Sequence, residues 1–176
     1  LKCTATLKDG SEEHRGPSVD FYGSGRIKRM FSFVRGRVDG RMMIYHENGW
    51  KEGYITYRAG AMTGPIVIYY ETGRVRYSGF NVDGKTHGDL LVYYPTGVVA
   101  ARMPHRHGKV NGRAIFYHEN GRKHMEATVV NEVEHGMTYQ WDSSGALQYL
   151  RHPLIYLCNY GVLQVAHCVE CQVPSV

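Results

Sequence analysis

Glycines recur along this chain at a fixed spacing of 24 residues. One glycine column occupies positions 16, 40, 64, 88, 112 and 136, and a second occupies positions 25, 49, 73, 97, 121 and 145. No insertion separates the copies. Self-similarity at a period of this length predicts a repeat architecture. We therefore divide the chain into six repeats and count positions within each repeat from its first glycine as zero.

Other columns share this register. Position five is aromatic in all six repeats (Phe21, Tyr45, Tyr69, Tyr93, Tyr117 and Trp141). Position three is always apolar (Val19, Met43, Val67, Leu91, Ile115 and Tyr139). A third glycine column, at positions 36, 60, 84 and 108, is broken by Glu132. The pentapeptide Tyr-His-Glu-Asn-Gly, present at 45–49 and 117–121, is thus a repeat signature and not a local active-site motif.

Each repeat predicts two short strands. The first, such as residues 66–70, is rich in β-branched and aromatic residues and precedes a polar turn. The second, such as residues 74–82, ends at Asp83-Gly84, a dipeptide that favours a type I′ hairpin. Neighbouring strands are then antiparallel. The sequence predicts an all-β fold, an elongated antiparallel β-meander of six 24-residue β-hairpin repeats, about 55 Å across for roughly twelve strands.

The domain boundaries follow the repeats. We expect an N-terminal cap strand in residues 1–15, the six repeats in residues 16–147, and a C-terminal hairpin or tail with cysteines in residues 148–176. Hydrophobic residues make up 43% of the 176 residues, which is enough for one domain with a core.

The repeat resembles the MORN family, in the variant with glycine, four residues, an aromatic residue, three residues and glycine, followed by a Gly-x-x-x-Gly such as Gly84 to Gly88. The resemblance covers residues 16 to about 147. Bacterial proteins of this kind are often labelled YwqK-like antitoxin components or immunity proteins, encoded beside secreted toxins. Eukaryotic MORN arrays act as scaffolds and lipid-associated modules. The resemblance implies no catalytic residues.

The resemblance implies a protein-binding module, with a cognate toxin or effector as partner. A scaffold or membrane-surface module that binds proteins or anionic lipid is the alternative. A periplasmic or cell-envelope location follows from the same resemblance, with the cytoplasm as the alternative. The chain begins without Met, so we expect either that a leader or pro-region was removed or that the chain was trimmed.

The net charge is +5 with neutral histidines. This excess is consistent with an acidic partner, with an anionic surface, or simply with a solvated basic sheet. Nucleic acid is not expected as a partner, because Lys and Arg do not gather on one helix or dense strip. No segment reaches the roughly 18 consecutive apolar residues of a membrane span.

The four cysteines are unevenly placed. Cys3 precedes the repeats, whereas Cys158, Cys168 and Cys171 follow them. The ends of an open meander are too far apart for a disulfide, so Cys3 is not expected to reach the others unless the sheet curls. One disulfide and a free thiol within the tail is the first alternative. A metal site that adds His152 or His167 to the tail cysteines is the weaker alternative, because one Cys-x-x-Cys motif lacks a second pair.

The alternation of side chains along a strand gives each repeat two faces. We name the side of positions three and five the aromatic face, and we expect it to be the packed one. The opposite side, of positions two, four and six, is the even face. In the middle repeats the even face also carries an apolar band (Met42, Ile44, Ile66, Ile68, Leu90, Val92, Ala114 and Phe116). Its ends are polar, as capping repeats should be.

A large apolar band is seldom exposed in a monomer. Burial within the chain, including by its own tail, self-association into a homo-oligomer, and a partner protein are the three covers left open. Position six supplies amphipathic side chains of the kind enriched in recognition surfaces. The predicted anchors in this column are Tyr22, His46, Tyr70, Tyr94 and His118.

One second strand contains a proline, Pro104, where a ladder donor is expected, so we predict a bulge or break there. The same stretch holds Arg102, His105 and Arg106, which we predict contact an acidic partner. A solvated loop without a ligand is the alternative.

No catalytic constellation is recognisable. The histidines recur in columns, His46 with His118 and His87 with His135, and so are not expected to converge on one point as a metal site or general base requires. The glycines are turn residues and form no phosphate-binding loop. The sequence therefore predicts a non-enzymatic protein without a cofactor or metal.

Overall fold

We analysed a computed structural model of the chain. It describes the backbone of residues 2–6, 12–151, 154–159, 162–167 and 171–172, and the side chains of residues 13–151. Within these residues the structure contains strands and turns but no helix, which confirms the predicted all-β class. Accordingly, the described residues contain no helix long and apolar enough to cross a membrane.

The chain forms two compact units, unit 1 (Leu1–His87) and unit 2 (Gly88–Val176). The described strands of unit 1 are β1 (Lys2–Thr6), β2 (Glu12–Phe21), β3 (Ile27–Val34), β4 (Arg37–Val38), β5 (Gly40–Tyr45), β6 (Lys51–Arg58), β7 (Ala61–Tyr69), β8 (Val75–Val82) and β9 (Lys85–Thr86). Those of unit 2 are β10 (Gly88–Tyr93), β11 (Val99–Arg106), β12 (Lys109–Val110), β13 (Gly112–Tyr117), β14 (Lys123–Val130), β15 (Val133–Trp141), β16 (Leu147–Arg151), β17 (Leu154–Asn159), β18 (Val162–His167) and β19 (Cys171–Gln172).

Within each unit every described strand pair is antiparallel, and the long strands pair in chain order, which confirms the hairpin meander. The short strands β4 and β12 continue the pairing of β3 and β11 at the tips. All six repeats carry the same irregularity. In the β2/β3 pair, Asp20 faces Arg29 but Phe21 faces Ile27, so Lys28 is an extra residue. The shift recurs between positions four and five of every repeat. An extra residue of this kind is a β-bulge, and its recurrence shows that the 24-residue period is structural.

The hairpin tips adopt the predicted turn. Asp83 and Gly84 have φ values of 48° and 78°, both positive as a type I′ turn requires. The same two positions are left-handed in the other tips, including Arg35-Gly36 and Ala59-Gly60. Where the glycine column is broken, Glu132 still has a φ of 71°. The repeat geometry therefore imposes a left-handed backbone even on a residue with a side chain.

Burial is greatest on the even face, and the expectation that the aromatic face is the packed one is wrong. The least exposed apolar side chains of the even face are Met42, Ile68, Ala101, Ala114 and Ala127, at 3–8% exposure. On the aromatic face Ile115 is buried, whereas Phe21 is 50% exposed. The apolar band is thus buried or half-buried within the chain itself.

Small residues explain why the even face packs closely. Gly53 faces Ile44 on one neighbouring strand and Ile68 on the other. A Cβ at Gly53 would lie 2.4 Å from the carbonyl oxygen of Val67 and 2.6 Å from Cδ1 of Ile68. The Ile68 side chain therefore occupies the space that a side chain at position 53 would take.

Strand β11 runs continuously through Pro104, which faces Asp89 of β10. On its other edge the pairing is interrupted there, as predicted, because Arg102 faces Ile115 of β13 whereas His105 faces Val110 of β12. The same interruption occurs in β3, which has no proline, so it is a property of the repeat. The backbone N–H of Asn111 donates to the carbonyl oxygen of Pro104 at 2.8 Å. The proline ring fits because a glycine, Gly112, lies beside it. A Cβ at Gly112 would be 2.8 Å from Cγ of Pro104.

The C-terminal region forms the predicted hairpin. Strand β17 pairs antiparallel with β18, with Asn159 opposite Val162, in a separate two-stranded sheet. The predicted cysteine pairing, and the metal alternative with His152 or His167, lie outside the described side chains.

Candidate functional site

Side chains at position six connect neighbouring repeats. The hydroxyl of Tyr22 donates to the carbonyl oxygen of Tyr45 at 2.7 Å, and the hydroxyl of Tyr94 donates to that of Tyr117 at the same distance. All four residues are half-buried. These hydrogen bonds run from one repeat to the aromatic column of the next. Two of the predicted partner anchors thus have their polar ends engaged inside the sheet.

His118 takes the same role in a later repeat. Its Nε2 lies 2.9 Å from the carbonyl oxygen of Trp141, which can only accept, so Nε2 carries the proton. The ring also packs edge-on against His124, with centroids 4.4 Å apart. His124 is the extra residue of its bulge. The bulge residue Lys28 lies in the same way over the Tyr22 ring, 5.2 Å from its centroid.

The remaining two residues of the column differ from these. His46 is half-buried, and within the side chains the structure describes its Nε2 is shielded from solvent without a hydrogen-bond partner. The Tyr70 ring is half-buried, with the Arg76 guanidinium 6.0 Å from its centroid. Three of the five residues of the column, Tyr22, Tyr94 and His118, therefore connect one repeat to the next.

The predicted basic stretch does not form one positive surface. The Nε of Arg102 donates to the Asp89 carboxylate at 2.9 Å. His105 Nδ1 lies 2.8 Å from the carbonyl oxygen of Met103, which fixes the ring against its own strand. Arg106 is exposed at the hairpin tip, opposite Lys109 in register. Only Arg106 of the three has a side chain that is exposed and without an ion pair among residues 13–151.

The register also separates the basic residues from the aromatic anchors. Arg102 faces Leu91 and Ile115, so it lies on the aromatic face. Tyr94 and His118 belong to position six, on the even face by strand alternation. A single flat partner could not contact both sets at once. The structure therefore does not bring the predicted partner-binding residues together.

An exposed apolar patch lies instead on the aromatic face of unit 1. Phe21, Ile27 and Met30 are 50%, 39% and 39% exposed. The register places Ile27 opposite Phe21, and Met30 opposite both Val19 and Met43. With Tyr45, Ile27 and Met30 line a hollow of about 470 Å³. We call Phe21, Ile27 and Met30 the apolar patch.

The sequence contained a signal for this patch. Ile27 occupies position eleven and Met30 position fourteen, which face the aromatic columns of their own repeats. Each of the four middle repeats has a charged or polar residue in at least one of these positions (Lys51, Ser78, Arg102, Lys123 and Glu126). The last repeat, with Leu147 and Leu150, is apolar at both, as the first is. The first repeat differs from it in having an exposed aromatic residue at position five, Phe21. The patch is not evident from the first strands alone, because Ile27 and Met30 belong to a second strand.

A second surface feature lies at the tips of the first two hairpins. A hollow of about 550 Å³ is lined by Val34, Arg35, Arg37, Asp39, Arg58 and Ala59. A hollow of about 360 Å³ shares Val34 and Arg35 with it and adds Arg15 and Phe33. We call these two hollows together the arginine groove. The groove is not evident from the sequence because its four arginines are contributed by β2, by the first hairpin tip and by the end of β6.

Unit 2 contains a buried carboxylate whose charge is compensated. Glu126 is 9% exposed and lies between Ile115 and Tyr139 on the aromatic face. Arg113 Nε is 3.0 Å from one of its oxygens and Lys123 Nζ is 2.6 Å from the other. Two cations thus satisfy both oxygens, as burial of a charge requires. The described residues contain no group of three or more His, Cys, Asp or Glu side chains placed to hold a metal ion.

Asp142 replaces the Tyr or His of position six in the last repeat. Its carboxylate accepts hydrogen bonds from the Ser144 hydroxyl at 2.6 Å and the Ala146 backbone N–H at 3.0 Å. Bonds from the Ser144 N–H and the Gln148 amide add to them. Together, and led by the Ser144 hydroxyl, they lower the pKa of Asp142 from 3.8 to about 2. The Asp142 carboxylate therefore bonds within the turn and second strand of its own repeat.

Comparison with protein families identifies a match to part of the chain. The model of a family described as MORN repeat variant matches residues 38–59, which span the end of the first repeat and most of the second. No curated protein matches the chain. The match covers one of six repeats in a single register, and all six share the same bulge. Residues 38–59 thus match a MORN repeat variant, which suggests a repeat-based protein-binding module, and the hairpin meander is consistent with MORN repeats.

Proposed function

We propose that this chain is a bacterial immunity or antitoxin protein that binds a cognate toxin and blocks it. The observation that carries the proposal is the apolar patch. Phe21, at 50% exposure, lies in a column whose other five members are half-buried. Large apolar side chains grouped on one surface are typical of protein-binding sites. The hollow beside Tyr45 provides a recess into which a partner side chain fits.

Inhibition by such a surface needs no chemistry from this chain. Hydrogen bonds between repeats hold the β-sheet of unit 1 in place, as the Tyr22 to Tyr45 bond shows. A preorganised surface loses little conformational entropy on binding. A toxin that buries an apolar protrusion in the patch would have its substrate path covered by the sheet. Our proposal places this encounter in the periplasm or cell envelope.

Substitutions taken from other repeats can test the patch without unfolding the chain. Ile27→Lys places at position eleven the residue found at Lys51 and Lys123, and Met30→Ser places at position fourteen the residue found at Ser78. The matched control is Val130→Arg with Val133→Lys. Those valines are 39% and 60% exposed in unit 2, and their replacements are residues of the same columns, position eighteen and position twenty-one.

The toxin to be tested is the product of the gene next to the one that encodes this chain. Cells that express this product should grow only when they also express the wild-type chain or the control variant. By calorimetry, I27K/M30S should bind the purified product at least about tenfold more weakly than wild type, a loss of about 1.4 kcal/mol. If the wild type, I27K/M30S and the control variant bound the gene product with equal affinity, the patch would not be its binding site. A product that neither binds nor harms cells would refute the immunity role itself.

Liposome co-sedimentation separates this proposal from the scaffold or membrane-surface alternative. A salt-sensitive association of the wild-type chain with phosphatidylserine vesicles, without binding to the neighbouring product, would favour that alternative.

A further inference from the structure

We propose that the arginine groove of unit 1 binds an acidic linear segment of a partner protein. Carboxylates of the segment meet the guanidinium groups, and an apolar side chain of the segment contacts Val34 and Phe33. The inference rests on the proposed protein-binding role, but it does not require that the partner is a toxin.

Two adjacent hairpin tips build the groove. The first tip turns at Arg35-Gly36 and the second at Ala59-Gly60, both left-handed. The N–H of Gly60 donates to the carbonyl oxygen of Val38 at 2.8 Å, which fixes the second tip against the first. Arg37 packs against Gly60, since a Cβ at Gly60 would be in ordinary van der Waals contact with Cβ of Arg37, at 3.5 Å. The arginines are therefore held at the rim by backbone hydrogen bonds and packing.

The groove has more positive than negative charge. Among residues 13–151, no carboxylate forms an ion pair with Arg35, Arg37 or Arg58. Asp39 also lines the groove, and its carboxylate accepts the backbone N–H of Ala59 at 2.8 Å. The fourth cation, Arg15, is 2.9 Å from Glu13. Three guanidinium groups are left to bind a ligand, and each can bind a carboxylate through two parallel hydrogen bonds.

An apolar wall indicates a peptide ligand instead of a simple anion. Val34 is 54% exposed between Arg15 and Arg35, and Phe33 lines the same hollow. Phe33 is held by its neighbours, with the Phe31 ring 5.4 Å and the His14 ring 5.2 Å away. An inorganic anion or a lipid headgroup would bury no apolar surface against this wall and so would gain no binding free energy from it. A peptide with an apolar residue between acidic ones would bury it against Val34 while pairing its charges.

Comparison between repeats shows that the groove is not a general product of the fold. At the next pair of tips, Ala61 takes the place of Arg37 and Asp83 the place of Ala59. In unit 2, Lys109 lies 3.8 Å from Glu132, so an acidic residue is present where the first tips have none. The concentration of unpaired arginines belongs to the first two tips alone among those of unit 1 and unit 2 that the structure describes.

The repeats also supply substitutions that the fold already accepts. Arg35→Ala reproduces Ala59, which has a left-handed φ of 49° at the same repeat position. Arg58→Val reproduces Val34 and Val82. The matched control, Lys51→Val with Lys85→Ala, also removes two positive charges, but outside the groove. Each replacement is a residue that another repeat has at the same position.

The probe is a short fluorescent peptide of glutamates flanking one leucine, measured by anisotropy against the full chain. The wild-type chain and K51V/K85A should bind it with similar affinity, and R35A/R58V should bind at least about tenfold more weakly. Equal weakening by both double variants would show a general charge effect and overturn the groove. The proposal would also be overturned if the wild-type chain did not bind the peptide. Binding of the wild-type chain to phosphatidylserine vesicles but not to the peptide would overturn it as well.

A second arm separates this inference from the proposed toxin-binding patch. I27K/M30S leaves the groove unchanged and should bind the peptide like the wild type. If the peptide binds and the neighbouring product does not, the groove stands and the immunity role fails. If the product binds through the patch and the peptide does not bind, the immunity proposal stands and the groove proposal fails.

Discussion

The hydrogen bond from Tyr94 to the Tyr117 carbonyl oxygen tests whether position six connects the repeats. Tyr94→Phe removes only the hydroxyl, so ring packing is preserved. The bond is 2.7 Å long and half-buried. A bond of this kind contributes about 0.5–1.5 kcal/mol, and more when its loss leaves a buried acceptor without a donor. We expect the free energy of unfolding to fall by about 1–2 kcal/mol.

For a chain of 176 residues, each 1 kcal/mol shifts Tm by about 2–4 °C, so Tyr94→Phe should lower Tm by roughly 2–8 °C. The measurement is thermal unfolding, followed by the negative circular dichroism band of the β-sheet at about 218 nm. Tyr57→Phe is the matched control. Tyr57 is also half-buried, but its hydroxyl makes no hydrogen bond to the residues that the structure describes.

The same variant separates structure from recognition. If the hydroxyl connects repeats, Tyr94→Phe destabilises the chain but leaves the affinity for the neighbouring gene product unchanged. A Tm equal to that of wild type, or an equal fall in Tyr57→Phe, would contradict the structural role. Loss of affinity without loss of stability would restore Tyr94 as a partner anchor.

Three further perturbations test other parts of the fold. Glu132→Gly should raise the free energy of unfolding by about 0.5–1 kcal/mol in urea titration, because the φ of 71° strains a residue with a Cβ; a decrease would contradict this. Gly53→Ala should destabilise by about 1–3 kcal/mol, since its Cβ would meet a backbone oxygen at 2.4 Å, whereas Gly23→Ala, with nothing within 4 Å, should not. The pKa of Asp142 is lowered from 3.8 to about 2, so its contribution to stability is complete above about pH 4 and is lost as the pH falls through 2. NMR titration of its carboxyl carbon should give a midpoint near 2, and a midpoint near 4 would refute the turn that we describe.

The repeat period, the strand pairs and the hairpin tips could be predicted because each depends on local chemistry. Asp83-Gly84 predicted a type I′ turn from its two residues alone, and the structure has it. The glycine columns predicted where left-handed backbone is required. Even the exception at Glu132 kept the geometry, because the turn is fixed by pairing on both sides.

The packed face could not be predicted in the same way. Alternation shows which residues share a face, but the degree of burial depends on the size of the cross-strand neighbours. Gly53 is small and lies on the even face, so the side chain of its neighbour Ile68 occupies the space above it. Ala101 is a small residue at the same repeat position, between Val92 and Phe116. The role of Tyr94 was hidden for a related reason. Whether a hydroxyl reaches a carbonyl 23 residues along the chain depends on the spacing between strands and not on residue type.

These contacts suggest where recognition can evolve in such a repeat. Positions five, six and twenty carry bonds between repeats or left-handed turns, so their chemistry is restricted by the fold. Positions eleven, eighteen and twenty-one carry residues that range from Ile27 to Lys123 and from Val34 to Arg58, and position fourteen ranges from the exposed Met30 to the buried Glu126. Both proposed surfaces draw on these variable columns, and the patch adds Phe21 of position five, which is exposed in the first repeat. We therefore propose that a partner is recognised where one repeat departs from the residues that its neighbours use.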